Sequence, residues 1–86
     1  MTEEKMDTSN TFRTMNATVV LSKQGRIIKC NDRDLQQKGE ASSTYVKSVL
    51  GILFDDSPEV FKKLISEMSP KEYNYTYAKM LLEEYC

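Results

Sequence analysis

The chain has 86 residues, 40% of them apolar, with a formal net charge of −1 and no histidine. That length allows one small domain with a core just large enough to hold it, and nowhere is there a run of about 18 apolar residues that could span a membrane. With no histidine and with Cys30 and Cys86 as the only thiols, the usual Cys/His zinc site, a histidine-activated nucleophile and a disulfide framework are all excluded. The expectation is a non-enzymatic binding protein with no metal and no cofactor. Two scattered free thiols fit a reducing compartment.

Residues 1–14 are polar apart from Met1, Met6 and Phe12. They are expected to form a disordered N-terminal tail, with the ordered domain over residues 15–86. The opening Met1-Thr2-Glu3-Glu4-Lys5 is acidic and lacks the features of a secretory signal. The charge is unevenly spread. Residues 13–47 carry seven basic and three acidic side chains, and residues 48–86 carry four basic and seven acidic.

The first element is a hairpin. Val19, Val20 and Leu21 precede the polar loop Ser22-Lys23-Gln24-Gly25, and Ile27 and Ile28 follow. β-branched residues around a turn that ends in glycine suit a four-residue hairpin loop with Gly25 at positive φ. Asn31 or Asp32 is expected to cap a short helix that runs through Leu35 and stops at Gly39. Thr44 then caps an amphipathic helix to Phe54, with Val46, Val49, Leu50, Leu53 and Phe54 at helical spacing. Ser57-Pro58 opens the next helix, Pro58–Met68, because proline at the first helical position loses no bond. Phe61, Leu64, Ile65 and Met68 form its inner stripe.

Ser69-Pro70 repeats the device, and Glu72 completes a capping box with Ser69. The last helix is therefore expected over Pro70–Tyr85, burying Tyr73, Tyr77, Met80 and Leu81 and leaving Tyr75, Leu82 and Tyr85 on other faces. Leu50, Leu53, Phe54, Phe61, Leu64, Ile65 and Leu81 should share one core. The fold class expected from these elements is mostly α, a small helical domain of three to four helices with a short N-terminal β-hairpin.

The order of these elements resembles a BEN domain. The strand pair Val19-Val20-Leu21 … Gly25-Arg26-Ile27-Ile28 comes first. Next is a helix with an aromatic, a basic residue, paired aliphatics and a closing Leu-Phe, here Tyr45-Val46-Lys47-Ser48-Val49-Leu50-Gly51-Ile52-Leu53-Phe54. The closing helix from Met68-Ser69-Pro70-Lys71 to Leu81-Leu82-Glu83-Glu84-Tyr85-Cys86 is similar to the family's last. The resemblance is divergent: the segment between the Leu-Phe helix and the last helix, 55–68, is shorter than the family's and begins acidic. A second resemblance is to the opening strands of a PAS sensor domain, carried by Val19 to Asn31 with its Gly25-Arg26-Ile27 turn, and it implies three further long strands.

The BEN resemblance implies a nuclear module of a transcriptional or chromatin regulator, with the cytosol as the other location the free thiols allow. Such domains bind DNA or proteins, and DNA is the first expectation here, with a protein partner or homodimer as the alternative. For DNA, the N-terminus of the last helix would enter the major groove with Lys71 and Asn74 near bases or phosphates, while Lys62 and Lys63 neutralise phosphates. For a protein partner or a homodimer, Tyr75, Leu82 and Tyr85 on the last helix would form the contact.

Overall fold

A computed structural model describes residues 9–35 and 43–85. It holds a four-stranded antiparallel sheet, β1 Ser9–Arg13, β2 Thr18–Ser22, β3 Ile27–Cys30 and β4 Arg33–Asp34, in the order β1-β2-β3-β4. Three helices follow: α1 Ser43–Asp56, α2 Pro58–Glu67 and α3 Tyr75–Tyr85. The fold is α+β and not the mostly helical domain expected. The correction comes mainly from β1. Its five residues, Ser-Asn-Thr-Phe-Arg, pair with β2 from Ser9↔Ser22 to Arg13↔Thr18. Backbone bonds hold this strand, and among its described side chains Phe12 packs against the core, so apolar periodicity cannot reveal it. The tail expected over residues 1–14 thus gives way to a strand at Ser9, and residues 1–8 lie outside the described residues.

The expected hairpin is present in part, as the inner pair β2–β3 of the larger sheet. Gly25 sits at φ 83°, its N–H donating to Ser22 O at 3.0 Å. Val19 and Leu21 point inward from β2 and are fully buried. Regular alternation along β3 would put Ile27 and Lys29 on the same face. A bulge prevents this: Val20 faces Lys29 while Leu21 faces Ile27, so Ile27 and Cys30 both enter the core and Lys29 stays outside.

The short helix expected after Asn31 is a turn instead. Asn31 has φ 55°, the left-handed region asparagine tolerates, and its Oδ1 accepts from Thr18 N at 2.9 Å. Its side chain therefore caps a tight turn, and Arg33 and Asp34 pair back onto Cys30 and Lys29 as β4. The stop expected at Gly39 falls outside the described residues. After Asn31 the described residues hold β4 and three helices, and they do not supply the three further long strands that the PAS resemblance implies.

The helices cover one face of the sheet, α1 against β2 and α2 against β1. Val46, Val49, Leu50 and Leu53 of α1 meet Phe61, Leu64 and Ile65 of α2 and Val19, Leu21, Ile27 and Cys30 of the sheet in one core. Of the expected core residues, Phe54 and Leu81 are partly buried and the other five fully so. Phe54 meets Phe61 edge to face with ring centroids 5.0 Å apart. Ser57 caps α2, its Oγ accepting from Val60 N at 3.3 Å, with Pro58 at the first helical position.

The last helix begins at Tyr75, five residues later than expected. The chain between α2 and α3 is a clasp on the hairpin. Ser69 N donates to Gly25 O at 2.9 Å, so it is not free for a capping box. Ser69 Oγ accepts from Lys71 N, and Glu72 turns away. Its carboxylate, 7% exposed, accepts from Ile27 N at 2.8 Å on one oxygen and from Asn74 N at 2.9 Å on the other.

A second tether joins the β1–β2 loop to the end of α1. Asp56 accepts from Thr14 Oγ1 at 2.8 Å, from Asn16 N at 3.2 Å and from Asn16 Nδ2. These donors, the Thr14 hydroxyl first, hold the Asp56 carboxyl below the ordinary aspartate value. A depressed carboxyl stabilises the fold above its unfolded value and loses that contribution as the pH falls through the folded one. The Asn16 amide resonance is therefore expected to hold its position through the ordinary aspartate range and to move only below it. A midpoint at or above the ordinary value in an NMR pH titration would show that the tether is absent in solution.

Candidate interaction face

α1 and α3 lie side by side, and the seam between them carries two hollows. One, of about 380 Å³, is lined by Lys47, Tyr73, Asn74, Thr76, Tyr77 and Met80. The other, of about 410 Å³, is lined by Ser48, Gly51, Ile52, Phe54, Asp55 and Leu81. The local sequence explains why this side is left apolar. α3 meets the core through Ala78, which is fully buried, with Tyr75, Leu81 and Leu82 partly buried beside it. A residue as small as alanine at the contact brings the helix close and turns Met80 outward. Tyr73, just before the helix, is 71% exposed, Met80 48% and Ile52 38%. The Lys47 ammonium stands 5.2 Å from the centre of the Tyr77 ring, a cation–π contact.

The residues expected to meet DNA are spread over α2 and the clasp that precedes α3. Lys62 and Lys63 are exposed on α2, but Glu59 and Glu67, also exposed, stand one turn to either side of Lys63. Lys71 is exposed on the clasp. Asn74 is 6% exposed, its N–H held by Glu72 and its carbonyl accepting from Ala78 N at 3.1 Å. It stands just before α3 and lines the 380 Å³ hollow with Lys47 and Tyr77. Of the residues expected to meet a protein, Tyr75 and Leu82 are partly buried against the core, and the side chain of Tyr85 lies outside the described residues. The outward residues are Tyr73 and Met80, both expected to be buried. One signal could have located them. Asn74 is as good a helix cap as Ser69, and a start at Tyr75 with Ala78 inward sets this phase.

Cys30 is fully buried and its thiol is pushed up to about 12 by burial, which makes it inert. Tyr45 OH donates to Cys30 O at 3.4 Å, and the Arg33 guanidinium lies 4.6 Å over the Tyr45 ring. A further hollow of about 520 Å³ on the sheet has Arg13 and Lys29 on its walls, together with Asp32, Thr11, Thr18 and Val20. Among the described residues no three His, Cys, Asp or Glu side chains come together as a metal site, and no helix is long and apolar enough to cross a membrane. Comparison with protein-family models, with curated proteins and with solved structures returns no match for this chain.

Proposed function

We propose that this chain is a non-enzymatic interaction module that docks a protein segment on its α1–α3 face. The apolar seam carries the reading: Tyr73, Tyr77 and Met80 wall a hollow beside Lys47, with Tyr73 and Met80 turned to solvent. Aromatic residues and methionine are the types that protein interfaces enrich, and methionine adapts its shape to what it meets. The setting comes from the BEN resemblance alone: a transcriptional or chromatin regulator in the nucleus.

DNA is the competing partner, resting on the exposed Lys62, Lys63 and Lys71. The glutamates interleaved on α2 and the buried Asn74 weigh against it, because a phosphate footprint needs an unopposed basic face. Two measurements decide. Peptides selected from a random display library are expected to shift the NMR signals of Tyr73, Tyr77 and Met80 and to bind Tyr73→Ala/Met80→Ala about tenfold or more weakly. A mixed-sequence duplex is expected to give no salt-sensitive binding. Tight duplex binding that weakens steeply with salt, with no peptide mapping to the seam, would overturn the reading.

A further inference from the structure

We infer that the partner on this face is a second copy of the chain, the two α1 helices crossing antiparallel about a two-fold axis so that Ile52 of each copy enters the hollow over Gly51 of the other. The inference rests on the reading of the α1–α3 seam as a docking surface and names its occupant.

Gly51 is the starting point. It stands in the interior of a 14-residue helix, where glycine is less stable than alanine. Nothing in the fold asks for it. It is not among the positive-φ residues, and a Cβ built on it meets no atom within 4 Å. The missing side chain instead floors the hollow of about 410 Å³, open to the outside. The adjacent residue, Ile52, offers a branched apolar side chain to solvent. A projection and a recess next to each other on the same helix face are what a two-fold contact needs, since each copy then gives one and receives one.

The charges fix the direction. Along this stripe of α1, Lys47 stands at one end and Asp55 at the other. Parallel apposition would set like charges together. Antiparallel apposition centred between Gly51 and Ile52 brings Lys47 and Ser48 of one copy to Asp55 of the other, an ammonium and a hydroxyl donor facing a carboxylate. Tyr73 and Met80 then extend the apolar contact on either side. A foreign partner could use the recess or the projection; a second copy uses both along with the opposed charges.

Sedimentation equilibrium of the whole chain, from micromolar to millimolar concentration, tests this. The wild type is expected to dimerise. Ile52→Glu is expected to be monomeric with an unchanged circular dichroism spectrum. Gly51→Ala is the sharper variant: it should raise the urea midpoint of the monomer, as a helix-favouring change with room for its methyl, and weaken the dimer about tenfold or more by filling the recess. Asp55→Lys should weaken association, and Lys47→Glu added to it should restore it. A wild type that stays monomeric throughout, a dimer indifferent to both Gly51→Ala and Ile52→Glu, or a charge reversal that fails to rescue would overturn the proposal. If the wild type is monomeric while library peptides still map to Tyr73, Tyr77 and Met80, the docking reading stands and the second copy falls; if neither occurs, both fall.

Discussion

Gly25→Ala is expected to destabilise the protein by about 2–5 kcal/mol, from strain at positive φ together with overpacking. Gly25 is at φ 83°, and an alanine Cβ there would come within 2.8 Å of Glu67 O and still closer to Ser69 N. Both atoms are backbone, so neither can rotate away. Relief would require lifting the clasp from the hairpin, which breaks the Ser69 N to Gly25 O bond. Total stability of so small a domain is on the order of 5–10 kcal/mol, so half of it is at stake. The measurement is the urea midpoint of the variant against the wild type. A loss under about 1 kcal/mol would show that the hairpin and the clasp are not in contact in solution. The same substitution at Gly51 carries the opposite expected sign, because nothing stands within 4 Å of the added carbon there.

Glu72→Ala is expected to remove about 2–4 kcal/mol. The carboxylate is buried and each oxygen accepts one backbone N–H, from Ile27 and from Asn74. Removing it leaves two buried donors without partners, at about 1–3 kcal/mol each, offset in part because a buried carboxylate no longer has to be desolvated. Glu72→Gln separates the two contributions. Its amide can accept one N–H through its oxygen, but its NH₂ group faces the other donor, so about half the loss should remain. Denaturant unfolding of both variants checks the order wild type, glutamine, alanine. Equal stability of all three would mean that water satisfies the two N–H groups as well as Glu72 does.

Where the sequence was legible, a side chain acted within a few residues of itself. Ser57-Pro58 opened α2, Gly25 turned the hairpin, and the stripe from Val46 to Leu53 marked the inner face of α1. It misled where the deciding partner was distant. Ser69 and Glu72 have the spacing of a helix cap, yet Ser69 N is claimed by Gly25 and Glu72 by Ile27, 45 positions away. That shift moved the start of α3 and with it the outward residues, from Tyr75 and Leu82 to Tyr73 and Met80. Asn31 looked like a helix cap because its side chain does cap a backbone N–H, that of Thr18 on a neighbouring strand. β1 left no apolar trace because hydrogen bonds to β2 define it.

The two ends of the sheet bear on how copies of this chain can associate. A strand at the margin of a sheet presents a row of backbone donors and acceptors to any other extended chain. Here one margin is β1, whose residues are serine, asparagine, threonine, phenylalanine and arginine, and the other is β4, two residues long and oppositely charged. Neither is a good template: the first has little apolar surface to reward a new strand, and the second is too short to hold one. Growth by adding strand to strand, the route to fibrils, is therefore disfavoured at both margins. A dimer through α1, if it forms as proposed, would use helix side chains and leave both margins of the sheet alone.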